Sequence, residues 1–118
     1  MGLDLTLCPQ RHHSESREAF LETWFLAYDR LNTDRDGMLI PQVEKLKAKK
    51  LPENVRFEWY GDEGLEVRKT TPYGDPLTYV QASEFKKINT KKMYFWNKAV
   101  VKFLASLSPT SPVVLYWH

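Results

Sequence analysis

Glu58, Asp62, Glu63 and Glu66 gather around Tyr60 in the middle of the chain. Paired carboxylates on adjoining strands are the residue types that hydrolysis uses as general acid and general base. Glu58 and Glu66, however, alternate with Phe57, Trp59, Leu65 and Val67, so the simpler expectation is the solvent face of a hairpin whose other face is core. Cys8 lies close in sequence to His12 and His13, a thiol and two imidazoles. A structural zinc site takes four ligands and no further Cys or His pair is spaced to complete one, so no metal site is assigned. A Cys8 nucleophile activated by a histidine is the other chemistry this trio offers, against the plainer reading of surface histidines in a polar segment. His118 is expected to be frayed or simply exposed.

The other chemistry-bearing pattern is electrostatic. Lys45, Lys47, Lys49 and Lys50 form one basic cluster, and Lys86, Lys87, Lys91 and Lys92 form another beside Tyr94, Phe95 and Trp96. Lysine neutralises phosphate and aromatic rings stack on unpaired bases, so this interleaving suits a single-strand binder. It equally suits a protein interface, where Tyr and Trp serve as anchors. Candidate partner-binding residues are therefore Lys86, Lys87, Lys91, Lys92, Tyr94, Lys45, Lys49 and Lys50. Arginine is absent after Arg68, which argues against base-edge readout. Trp96 falls on an apolar helical stripe and is expected in the core.

Asn32-x-Asp34-x-Asp36-Gly37-x-Leu39 resembles the opening of a calcium-binding EF-hand loop, in which alternate oxygens converge on one cation. The twelfth position, which supplies a bidentate carboxylate in such loops, is Val43, and Pro41 falls inside. A capped turn built from Asp34, Asp36 and Gly37 uses the same residue types. No phosphate-binding loop, dinucleotide fingerprint or serine-hydrolase elbow occurs, so no cofactor and no catalytic residue are assigned.

These residues need elements to hold them. Leu3, Leu5 and Leu7 alternate with polar residues as in a half-buried strand that Pro9 stops. Ser14 and Ser16 are candidate caps for a helix over 17–31, although the aromatic-rich stretch 24–31 also suits a strand. Leu39, Ile40, Val43 and Leu46 predict a helix reaching about residue 50 after an Asp36 cap. Residues 56–60 and 65–69 predict a β-hairpin about the Gly61-Asp62-Glu63-Gly64 turn. A second turn at 72–76 leads into a strand over 77–80. Ser83 caps a short helical segment to Ile88, and Met93, Trp96, Val100, Phe103, Leu104 and Leu107 make the apolar stripe of a stronger helix. Residues 113–118 predict a final strand. The expected fold is a single α+β domain over residues 1–118, a mainly antiparallel sheet holding the N- and C-terminal strands with two to three helices packed on it.

Composition agrees with one folded unit: 118 residues, 42% hydrophobic and 14% aromatic, with four Trp, supply enough apolar surface to offset the entropy of folding. The lone cysteine permits no internal disulfide and suggests a reducing, cytoplasmic compartment. No apolar run is long enough to span a bilayer, and the first residues do not read as a secretory signal. The net charge of +2 conceals an asymmetry, because every charged side chain after Glu84 is a lysine. A cationic block of that kind meets acidic partners or phosphate, or simply solvates a face.

Taken together, Met1-Gly2-Leu3-Asp4-Leu5-Thr6-Leu7, Tyr28-Asp29-Arg30-Leu31, Asp34-Arg35-Asp36, Val55-Arg56-Phe57-Glu58-Trp59-Tyr60, the Pro72-Tyr73-Gly74 turn with Leu77-Thr78-Tyr79-Val80, Trp96-Asn97-Lys98-Ala99-Val100 and the run Val113 to His118 resemble a group of small phage-encoded proteins of unassigned function. That resemblance implies a shorter segment before Tyr28, making 12–20 an insertion here. It also implies a setting in a host bacterial cell, where small cofactor-free proteins bind host machinery and some inhibit defence systems in the manner of an anti-CRISPR. The expectation is a non-enzymatic accessory protein that binds a host or defence-system protein. Nucleic-acid binding through the lysine clusters is the alternative, and a small hydrolytic enzyme the third.

Overall fold

The computed structural model describes residues 4–11 and 24–118, with the backbone alone at Trp24. The candidate caps Ser14 and Ser16, His12 and His13, and the proposed insertion over 12–20 lie outside the described residues. The chain is α+β. Its strands are β1 (Leu5–Pro9), β2 (Trp24–Leu26), β3 (Leu31–Asn32), β4 (Lys49–Lys50), β5 (Arg56–Gly61), β6 (Gly64–Arg68), β7 (Thr78–Gln81) and β8 (Pro112–Trp117). Helix α1 is Ile40–Glu44, a 3-10 helix spans Ala82–Lys87, and α2 is Phe95–Ala105.

Five strands form an antiparallel sheet in the order β3-β1-β8-β7-β4. As expected, the first and last strands both lie in it, and they pair with each other: Leu5 with Trp117 and Pro9 with Val113. A second sheet, which the sequence reading did not separate from the first, has the order β2-β5-β6, with β2 parallel to β5 and β6 antiparallel.

Two sheets are needed because β1 and β8 bury both faces, and side chains alternate across a strand. Leu5, Leu7, Val113 and Leu115 turn one way, onto Leu39 and Val43 of the α1 region, Phe85 of the 3-10 helix, and Val100, Val101 and Leu104 of α2. Cys8, Val114 and Tyr116 turn the other way, onto Phe25 and Phe57 of the outer sheet and Val55 just before β5. The molecule is thus three layers with two cores: helices, central sheet, outer sheet. No helix among the described residues is long and apolar enough to cross a membrane.

Three expectations need correction. The helix expected to reach residue 50 stops at Glu44, and Lys49 and Lys50 instead pair with Tyr79 and Thr78 as an edge strand. In the hairpin, Phe57 and Trp59 face inward as expected, but Leu65 and Val67 are half-exposed, at 50% and 41%. The reason is register: Tyr60 pairs with Leu65 and Glu58 with Val67, so odd positions on β5 stand opposite even ones on β6 and the two apolar sets fall on opposite faces. Gly64 supports this turn with φ +106°, a conformation that other residues rarely adopt.

The third correction concerns α2. Its buried positions are Asn97, Val100, Val101 and Leu104, an i, i+3, i+4, i+7 face turned away from the expected stripe. Trp96 and Phe103 are consequently about half-exposed instead of core.

Candidate functional site

A polar network turns α2 in this way. Asn97 is fully buried; its amide nitrogen donates to the Asp34 carbonyl oxygen (2.8 Å) and to Asp36 Oδ2 (2.7 Å), and its Oδ1 accepts from the Asp34 N–H (2.8 Å). The Asp36 carboxylate also accepts from the N–H groups of Met38 (2.9 Å) and Leu39 (2.7 Å), capping the turn into α1 as the sequence suggested, and from that of Tyr94 (3.3 Å) at the start of α2. A buried charge is tolerable when several donors meet it. One carboxylate therefore fastens the beginnings of both helices together.

The calcium-like spacing finds its explanation here. Both Asp36 oxygens are occupied by amide donors, and Asn32 Oδ1 accepts from Thr6 Oγ1 at 2.7 Å, so these oxygens face protein hydrogens. Among the described residues no group of three or more His, Cys, Asp or Glu is placed to hold a metal ion.

With Asn97 inward, Phe95 and Trp96 fall on the outer side of the first helical turn, and Tyr94, the extended residue before the helix, is exposed beside them. Phe95 is 89% exposed, between Tyr94 at 56% and Trp96 at 51%. The Trp96 indole N–H donates to the Asn32 carbonyl oxygen, and Lys98 Nζ lies 5.9 Å from the centre of the Phe95 ring. No acidic residue lies in the first turn of α2 and no side chain caps it. The result is a fixed aromatic ridge beside Lys91 and Lys92, both exposed.

The structure also brings the two lysine clusters together. Glu84 accepts from the Lys47 N–H (3.1 Å) and pairs with the Lys87 ammonium at 2.7 Å, which holds its carboxyl below the usual range. Gln42 of α1 donates to the Asn89 carbonyl oxygen (3.0 Å) and accepts from the Asn89 N–H (2.8 Å). The segments carrying Lys45, Lys49 and Lys50 and those carrying Lys86, Lys87, Lys91, Lys92 and Tyr94 are thereby stitched side by side. All seven of those lysines are exposed. Lys87 is engaged by Glu84. Phe95 was not among the expected site residues; the signal that pointed to it was Asn97, a polar residue in phase with the buried positions of α2.

Asp62, Glu63 and Glu66 share the lining of one open hollow with Tyr60, Arg30 and Arg68, and the other candidates are not gathered with them. Glu58 and Glu66 project from opposite faces of the hairpin, since Glu66 is opposite Trp59 and Glu58 is opposite Val67. Glu58 is 7% exposed, contrary to the solvent face expected for it, with its carboxylate 3.5 Å from Arg56. Cys8 is buried between the sheets, which pushes its thiol pKa up to about 12, the opposite of what a thiolate nucleophile needs. His118 is not frayed: its N–H and carbonyl bond Asp4, its Nε2 lies 2.9 Å from Thr6 Oγ1, and its ring stacks on Tyr116.

An open groove of about 650 Å³ lies between α1 and the 71–76 turn, walled by Tyr73, Trp117, Val43 and Leu115, with Glu44 and Asp75 supplying its charge. No family model, curated protein or solved structure matches the chain.

Proposed function

We propose that this chain is a non-catalytic binding protein whose aromatic ridge and lysine face dock on an acidic surface of a partner protein. The observation that carries the reading is the near-complete exposure of Phe95 between two half-exposed aromatics, on a helix that Asp36 and Asn97 hold rigid. Large rings kept in water on a fixed support are what an interface anchor requires, since little ordering entropy remains to be lost on binding. Surrounding lysines steer an acidic partner toward the ridge and select against basic ones. The setting implied by the phage resemblance makes the partner a host or defence-system protein, with inhibition as the consequence of docking.

Nucleic-acid binding is the second reading, favoured by lysines interleaved with unstacked rings. Affinity capture from host cells with the wild-type protein as bait, against Phe95→Ala and against Lys91→Glu combined with Lys92→Glu, separates the two. The leading reading expects a protein retained by wild type and lost by both variants while their circular dichroism is unchanged. Recovery of nucleic acid alone, with oligonucleotide affinity that falls steeply as salt rises, would replace it with the second.

A further inference from the structure

Side chains alternate along a strand, so Val113, Leu115 and Trp117 follow one another on the helix side of β8. Val113 and Leu115 are buried there, but the cover thins toward Trp117: α1 ends after five residues, and Trp117 is only partly buried against the same core. The sheet thins at the same point. Strand β7 begins at Thr78, opposite Leu115, and Pro76, two positions earlier, has no N–H with which to continue the ladder. The open groove of about 650 Å³ lies in this gap. Its far wall is the 71–76 turn, tied by the Thr71 N–H to the Asp75 carbonyl oxygen (2.8 Å), the Gly74 N–H to the Thr71 carbonyl oxygen (2.9 Å) and the Tyr73 N–H to Thr71 Oγ1 (3.2 Å). Tyr73 is thus held half-exposed on a fixed support.

The chemistry of this groove is one-sided. Val43, Leu115, Tyr73 and Trp117 give it an apolar, aromatic lining, Glu44 and Asp75 are its charged groups, and no Lys, Arg or His is among the described residues that line it. Neither carboxylate is in a salt bridge among the described residues. The Arg35 guanidinium lies within electrostatic reach of Tyr73, but Asp4 engages it with two bonds, at 2.6 and 2.8 Å. Lys45 and Lys49 adjoin lining residues in sequence without lining the groove themselves. Concave apolar hollows of this size with a few polar groups are the ordinary form of small-ligand sites. The geometry points to a site for a small organic ammonium with an apolar body, of the arylalkylamine class. The body displaces water from Val43, Leu115 and the two rings, and the ammonium is met by the carboxylates and by the electron-rich ring faces. An analogue with the same body and a carboxylate meets like charges instead, so the groove discriminates by sign. No residue of the aromatic ridge lines it; the ridge draws acidic partners and the groove draws a base.

Titration of the full chain with phenethylamine, charged at about pH 7 as a lysine is, tests this, with hydrocinnamate as its anionic counterpart. The readout is the indole N–H signal of Trp117 in proton–nitrogen correlation spectra. The amine is expected to saturate that shift with a Kd of about 0.05–5 mM, and hydrocinnamate to bind at least about ten-fold more weakly. Added salt should weaken the amine, because the attraction is to exposed charges. Glu44→Gln with Asp75→Asn, both on exposed side chains, is expected to lower amine affinity about five- to thirty-fold and to narrow the preference between the two ligands. Tyr73→Leu keeps the backbone bonds of the turn and should weaken the amine about three-fold or more. Phe95→Ala, which disables the ridge, should leave amine binding unchanged, so the ridge and the groove are tested separately. No shift of the Trp117 signal up to about 20 mM amine, equal binding of amine and carboxylate, or an amine indifferent to the loss of both acids would overturn the inference.

Discussion

At the scale of single residues, Asp36 and Asn97 bear more of the fold than their polarity suggests. Asn97→Ala removes a donor from the buried Asp36 carboxylate and the two part-buried bonds that hold the Asp34 N–H and carbonyl oxygen. The expected loss is about 2–4 kcal/mol, read as a lower urea midpoint at unchanged slope. Cys8 supplies a second test: with its thiol deep between the sheets and its pKa raised to about 12, it should resist iodoacetamide at neutral pH until the chain is unfolded by denaturant. The surface carboxylates give a third. Arg35 beside Asp4, Arg11 beside Asp29 and Lys87 beside Glu84 each hold a carboxyl below its ordinary range. Because these folded values lie below the unfolded ones, the unfolded chain takes up more protons as acid is added. The stability these pairs contribute is full above about pH 5 and is lost as pH falls below about 4. Glu84→Gln should flatten that decline in a urea titration repeated across pH. The Asp34-x-Asp36-Gly37 spacing was visible in the sequence, but its purpose was not, since the partner that decides it stands some sixty positions away at Asn97.

At the scale of elements, several strands were legible: β1 through its alternating leucines, β7 through the turn that precedes it, β8 through its run of strand-forming residues, and the hairpin turn through its glycines. Gly64→Ala, forced into φ +106°, should lower stability by about 1 kcal/mol or more in a thermal melt. The α1 region misled because Leu46 continues a helical spacing after the helix has ended, and the backbone of Lys49 and Lys50 is drawn to the unpaired edge of β7. The orientation of α2 misled because counting apolar residues alone admits Trp96 and Phe103, whereas the buried face is set by Asn97. Leu104, wholly buried, distinguishes the two faces: Leu104→Ala should cost about 2–5 kcal/mol and Phe103→Ala much less.

At the scale of the whole molecule, the α+β class and the presence of both terminal strands in the sheet were legible, yet their pairing with each other and the layering were not. A second sheet could be inferred only from strands that bury both faces, and residue-type patterns in β1 and β8 do not say what covers the second face. The pairing of Leu5 with Trp117 joins positions more than a hundred apart, and loops that long are slow to close, so refolding should take milliseconds to seconds. Stopped-flow fluorescence would measure it. β8 is a party wall between two interiors. Val113 and Leu115 belong to one, Val114 and Tyr116 to the other, so loosening either side deprives the strand of half its support. Neither interior is free to vary alone, and the amide protons of β8 should be among the last to exchange with solvent, released when both sides come apart together.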